Sequence, residues 1–157
     1  MQYNREHALT YAKKWAFSRN PMYYNFDNIG GDCTNFCSQC LFAGAKVMNY
    51  TPVTGWYYKN LNNRTASWTG VEYLYNFLIN NKGVGPHGTI CDKKDIEISD
   101  IIQLGDNYNN FYHSLFVVKK DTSDIYVATH TFDAYNRKLS TYSYESIRFI
   151  HIDNKIS

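Results

Sequence analysis

The segment Gly30-Gly31-Asp32-Cys33-Thr34 continues without a break into Asn35-Phe36-Cys37-Ser38-Gln39. Paired glycines give a flexible approach. The residues that follow, Phe36, Cys37, Cys40, Leu41 and Gly44, are spaced as one face of a helix. The pattern sets Cys33 in the first turn of that helix, with Asp32 as its N-cap. A helix N-terminus carries unpaired N–H groups and a partial positive charge. That field favours thiolate over thiol, and the thiolate is the attacking species. Cys33 is therefore the candidate nucleophile. On this ground it is expected to react with iodoacetamide near neutrality faster than Cys37, Cys40 or Cys91.

A nucleophilic thiol needs an imidazole to take its proton and return it to the leaving group. The chain has five histidines. His7 in a first helical turn, His87 in a Gly-Pro-His-Gly loop and His151 on a terminal strand at the sheet edge read as solvated or structural. His113 and His130 fall on successive antiparallel strands joined by a short polar turn, so they can become neighbours. His113 is the candidate base. His130 is the candidate third member, holding the ring of His113 in the right tautomer, although Asp133 or Asn136 just downstream could fill that role. Such a site carries out acyl transfer. The sulfur attacks a carbonyl carbon, and the Cys33 N–H and helix dipole steady the oxyanion.

The spacing Cys33-x-x-x-Cys37-x-x-Cys40 also matches a three-cysteine iron–sulfur pattern. Cluster ligands need a loop wrapped around the iron, whereas these cysteines lie along an amphipathic helix. A zinc site using Cys91 lacks a second closely spaced ligand pair. Cys37 and Cys40 read as free buried cysteines, and no metal or other cofactor is expected. Three cysteines on one short helix also argue against a disulfide framework.

The elements that must position these residues follow from periodicity. Asn4 caps a first helix running to about Ser18, with Ala8, Tyr11, Ala12 and Trp15 on one face, ended by Pro21 and the loop to Gly31. A third helix starts from a capping box, Thr69-x-x-Glu72, carries Val71, Leu74, Tyr75 and Leu78, and stops at Gly83. Strands are expected across Ile96–Leu104, Phe111–Val118, Ile125–His130 and Ile147–Ile152. Helices first and antiparallel strands afterwards give an α+β domain with the Cys33 helix packed on the sheet.

At 157 residues with 44 % hydrophobic content, the chain suits a single domain over residues 1–157 with its own core. A net charge of +2 with scattered basic pairs argues against nucleic acid as a partner. No apolar run is long enough to span a bilayer. Met1 to His7 lacks the apolar core of a secretory signal, so release by lysis or a dedicated export route is expected for any extracellular role. A monomer is expected. The 15 tyrosines travel with many Asn, Ile and Lys residues and read mainly as codon bias.

Gly30-Gly31-Asp32-Cys33-Thr34-Asn35-Phe36, with Ser38-Gln39-Cys40-Leu41, resembles the nucleophile helix of the bacterial "putative amidase domain" family. The likeness extends through Tyr23-Tyr24-Asn25-Phe26-Asp27, Gly55-Trp56-Tyr57-Tyr58, Ser67-Trp68-Thr69-Gly70, Ser99-Asp100-Ile101-Ile102-Gln103-Leu104, His113-Ser114 and His130-Thr131, nearly the whole chain. The family looks related to papain-like cell-wall hydrolases of the NlpC and CHAP types. The resemblance implies a papain-like fold and a cysteine amidase or peptidase working through a thioester. It also implies peptidoglycan as the usual substrate class, acted on at the cell wall. By this match Cys33 is the nucleophile, His113 the base and His130 the third member. Cys37 stands where such helices more often carry Val, and Ser99 where a Gly often precedes the Asp. On the substrate side, Asp32 is a cap or an acid fixing the approach loop. Trp56 and Trp68 are groove walls for stem peptide or glycan, with plain core packing as the competing reading. A non-catalytic peptidoglycan- or protein-binding module is the alternative function.

Overall fold

A computed structural model describes residues 1–157. Asn4 caps helix α1 (Arg5–Trp15), its side chain accepting the His7 N–H at 2.9 Å. Ala8 and Ala12 on this helix are fully buried. They allow close approach to helix α2 (Cys33–Ala45). Gly44 lies where the segment before α1 crosses α2. A Cβ there would come within 2.5 Å of the Tyr3 ring and 2.8 Å of the Asn4 carbonyl, so only glycine fits. Of the 13 residues of α2, 11 are buried. This is the central helix of the molecule, enclosed on all sides but that of Phe42 and Ala43, and its polar residues must therefore find partners inside.

The irregular stretch after α2 forms a small hairpin, β1 (Tyr58–Asn60) and β2 (Asn63–Arg64), which sequence periodicity did not show. A single helical turn, α3 (Ala66–Thr69), precedes α4 (Val71–Asn80). The expected capping box is not made. Gly70 occupies the N-cap of α4 without a side-chain bond, and Glu72 instead pairs with Arg148 at 2.9 Å. The helix ends at Asn80, ahead of Gly83.

The second half builds one antiparallel sheet from β3 (Gly88–Cys91), β4 (Ile101–Gly105), β5 (Phe111–Lys120), β6 (Ile125–Thr129), β7 (Ala134–Lys138) and β8 (Ser146–Ile152). The strand order is β3-β8-β4-β5-β6-β7. The expectation of an α+β domain with helices preceding an antiparallel sheet matches this arrangement. Three details differ. Ile96 and Ile98 precede β4 rather than belonging to it. β3 and β7 are additional strands, short and mostly polar, and they lack an alternating apolar signal. β8 lies between β3 and β4, so His151 is inside the sheet and not at its edge, with Nδ1 3.0 Å from Asp100 Oδ2.

Strand alternation separates two cores. Ile101, Phe116, Val118, Ala128 and Ile150 face the helices. Ile102, Leu104, Leu115, Val117 and Val127 face the other way, where Ile96 and Leu139 cover them. No helix is long and apolar enough to cross a membrane.

Candidate active site

Asp32 stands at the N-cap of α2, yet its side chain makes no cap hydrogen bond. It turns back into the protein and is fully buried. Its carboxylate accepts the Phe26 N–H at 2.8 Å and the Asn35 amide at 2.9 Å, with Arg19 Nε 3.5 Å away. The strongest partner is His130, whose Nδ1 lies 2.5 Å from Asp32 Oδ2. The other ring nitrogen of His130 donates to the Trp15 carbonyl at 2.7 Å, and the ring stacks on Phe36 with centroids 4.2 Å apart. This one imidazole joins the end of α1, the start of α2 and the turn after β6. Thr131 completes the knot, its hydroxyl accepting the Asp32 N–H at 2.9 Å.

Both nitrogens of His130 are thus engaged away from His113. The expectation that His130 orients His113 is corrected: the ring faces the helices, at 0 % exposure, and holds the loop that leads into Cys33. Asp133 and Asn136 do not replace it. Asp133 pairs with Arg19 at 2.9 Å, and Asn136 sits exposed within β7 with a left-handed backbone, φ 61°.

Cys33 begins α2 as expected and is 7 % exposed. Its Sγ lies 3.8 Å from the Thr34 hydroxyl, and the Ser114 backbone N–H approaches it closely enough to favour the thiolate. The Ser114 side chain bonds the Thr34 hydroxyl at 2.9 Å, so this residue of β5 faces α2. Its carbonyl accepts the Thr129 hydroxyl at 3.1 Å. The β5–β6 ladder starts only at Phe116 and Ala128. Beyond it, the Ser114 backbone is met by the Thr129 hydroxyl, with the Cys33 thiol close by.

His113 precedes Ser114 and pairs with Leu104. By strand alternation it shares the face of Leu115 and Val117. Its ring lies 6.1 Å from that of Tyr142. The thiol near Ser114 and the imidazole of the preceding residue therefore approach the same rim of β5 from opposite faces.

The charge states differ from the sequence expectation. Burial pushes the Cys33 thiol up, outweighing the Ser114, Thr34 and helix N-terminal contributions that favour the thiolate. The helix field is worth about 0.3–1 kcal/mol in ordinary settings, less than desolvation of a buried anion. Burial, aided by the Arg137 cation, lowers His113 to about 4. Near neutrality the resting pair is thiol and neutral imidazole, not thiolate and imidazolium.

The remaining site candidates are structural. Trp56 and Trp68 are both fully buried, so neither lines a groove. Their indole N–H groups are used internally, by Ser38 Oγ at 3.1 Å and Asn35 Oδ1 at 3.0 Å. Asp32 likewise has no face open to a substrate. Cys37 and Cys40 are free, fully buried core residues, and Cys91 is a free, half-buried thiol. Glu97, Asp100 and His151 bring ligand atoms within 4.8 Å of one another. The Arg5 guanidinium already occupies that cluster, 2.8 Å from Asp100 and 3.6 Å from Glu97, and offsets one of its two carboxylate charges. What sequence reasoning missed is the polar shell of the thiol, Thr34 and Ser114. The adjacency of His113 and Ser114 was its one signal.

An uncharacterized protein of Bacillus subtilis (strain 168), YhbB, is 32 % identical over 148 residues, 92 % of this chain. The chain spans less than half of that protein, 45 % of its length. No solved structure matches the chain. The sequence pattern described as "Putative amidase domain" matches residues 2–152, from the start of the Asn4 cap to the end of β8, and the chain belongs to that family.

Proposed function

We propose that this chain is a cysteine-dependent amide hydrolase of papain-like design acting on bacterial peptidoglycan, with Cys33 as nucleophile and His113 as base. The observation that carries the reading is the position of the thiol. It begins the buried central helix, and the next residue, Thr34, bonds the side chain of Ser114, the residue that follows the imidazole. The family description, an amidase domain, supports amide hydrolysis. The helices-then-antiparallel-sheet order supports the papain-like comparison. Substrate class and fold relationship rest on the sequence resemblance to NlpC- and CHAP-type hydrolases.

In this mechanism the thiol proton passes to His113 as sulfur attacks the carbonyl carbon. Negative charge moves to the carbonyl oxygen, where the Cys33 N–H and the α2 dipole stabilise it. Collapse breaks the C–N bond, and the His113 imidazolium protonates the departing amine. A thioester remains, which water attacks with His113 again as base. A neutral resting pair means that charge develops only as the bond forms.

The burial of the thiol and the lack of a hydrogen-bonded partner for the His113 ring favour a second reading, a wall- or protein-binding module without catalysis. One experiment separates them. Wild type and Cys33→Ala are incubated with purified cell walls, and the soluble fragments are identified by mass. New amine and carboxyl termini in the wild-type digest alone support the hydrolase. Identical profiles, with both proteins retained on the walls, overturn it in favour of binding.

A further inference from the structure

Arg5, Arg19 and Arg148 are each paired with a carboxylate, whereas Arg64 and Arg137 are not, and of these two Arg137 lies near His113. Its Nε donates to the Thr141 hydroxyl at 2.9 Å and one Nη to the Thr141 carbonyl at 3.0 Å. These bonds fix the guanidinium and leave its second Nη without a protein partner. The fixed plane lies 3.7 Å over the Tyr142 ring. That ring in turn lies 6.1 Å from the ring of His113. The Tyr142 hydroxyl is buried, and the stacked guanidinium gives it no aligned hydrogen bond. Two polar groups thus stand beside the neutral imidazole of the candidate base, on one face of the sheet: a cation with no carboxylate partner and a hydroxyl with no hydrogen-bond partner.

This arrangement works against the chemistry proposed for His113 unless something else arrives. A cation near a general base opposes formation of the imidazolium. A buried hydroxyl with no partner costs about 1–3 kcal/mol. An anion resolves both, because a carboxylate accepts from a guanidinium fork and from a phenol at once. It also cancels the Arg137 field that adds to burial in keeping His113 neutral.

We propose that Arg137 and Tyr142 form a carboxylate-binding site flanking His113, so that the amide cleaved belongs to a substrate bearing a free carboxylate close to the scissile bond. The inference rests on the hydrolase reading for the word substrate; the anion site itself does not. It makes the carboxylate both a recognition element and an activator. With the anion seated, His113 takes the Cys33 proton more readily, so an uncharged analogue loses kcat as well as KM.

The test follows the His113 imidazole by NMR, with N-acetylalanine as probe and N-acetylalaninamide as its uncharged control. In wild type, N-acetylalanine is expected to raise the His113 titration midpoint by about one unit, and the amide to leave it in place. Arg137→Gln is expected to raise the midpoint of the free protein and to abolish the response to N-acetylalanine. Tyr142→Phe keeps the ring and the stacking and is expected to weaken N-acetylalanine binding several-fold. Equal responses to acid and amide, or an unaltered response in Arg137→Gln, overturn the site. Cleavage assays separate this failure from that of the hydrolase. Wild type that cleaves nothing yet shows the Arg137-dependent response keeps the site and loses the hydrolase. Equal kcat/KM for carboxylate and amide-capped substrates, unchanged in Arg137→Gln, keeps the hydrolase and loses the site.

Discussion

Replacing His130 by alanine removes the imidazole that ties Asp32 to the end of α1. The carboxylate of Asp32 stays fully buried without its closest partner. Taking its closest partner from a buried carboxylate costs about 3–5 kcal/mol. The Phe26 N–H, the Asn35 amide and the Arg19 guanidinium remain on Asp32, which argues for the low end of that range. The Trp15 carbonyl keeps the Ser18 N–H at 3.2 Å but loses the imidazole donor, worth about 1 kcal/mol. The stacking on Phe36 is lost as well, for about 1 kcal/mol more. The expected loss is about 5 kcal/mol, a large part of the 5–15 kcal/mol typical of a domain. Urea denaturation followed by circular dichroism gives the number, and thermal melting should show a drop of about 10 °C or more. Because this variant approaches the limit of folding, Asp32→Asn and the double variant complete a cycle. The double variant should recover about 2 kcal/mol relative to additivity, since the orphaned charge is gone. A His130→Ala protein that keeps its stability within about 1 kcal/mol and loses only turnover would refute this reasoning and return His130 to the catalytic site.

Three other measurements bear on the same region. His113 titrates at about 4 when folded against an ordinary 6.5, so the unfolded chain binds a proton first. Stability should therefore fall as pH drops from about 6.5 to about 4 and level off below, by up to about 3 kcal/mol from this residue, and His113→Gln should flatten that fall in urea titrations across pH. Iodoacetamide with mass mapping should modify the more accessible Cys91 first, modify Cys33 increasingly as pH rises, and leave Cys37 and Cys40 until the protein unfolds; fastest labelling of Cys33 near neutrality would show that burial does not control its thiol. Trp68→Phe should destabilise by about 1–2 kcal/mol through the orphaned Asn35 oxygen while leaving KM for any wall substrate unchanged; a raised KM with unchanged stability would restore it as a groove residue.

The elements that sequence periodicity located are those whose burial is one-sided. α1 and β5 carry clear patterns, and the Asn4 cap and the β5–β6 turn are marked by local side-chain chemistry. The same logic located the start of α2, because a Gly-Gly-Asp approach to an apolar run is itself local. It misjudged the character of α2, since a helix buried on nearly all sides has no polar face to reveal it. It missed β3 and β7 because edge strands bury little. The errors at the candidate site have one cause. Asp32 and His130 lie 98 residues apart, and no local pattern records which of two strand faces an imidazole takes. Phe116 and Val118 on the helix face place His113, an odd-numbered neighbour, on the other. That parity was readable in principle, but only with knowledge of which face meets α2.

The neutral pair at the rim of β5 follows from the same burial that makes α2 a rigid platform. A helix enclosed on nearly every side fixes Cys33 closely, with Thr34 and Ser114 locking its first turn to the sheet. Enclosure also removes the water that would stabilise a thiolate, and its cost exceeds what the helix N-terminus returns. Position and ionisation therefore pull in opposite directions, and here position has won in the free protein. For such a site to react, the missing stabilisation must arrive with the ligand. A carbonyl oxygen can take the developing charge at the helix start. A carboxylate can quench the Arg137 cation that discourages protonation of His113. Both ask for an acyl substrate with a nearby acid group. Without one, the same arrangement keeps the Cys33 thiol protonated and slow to oxidise or alkylate.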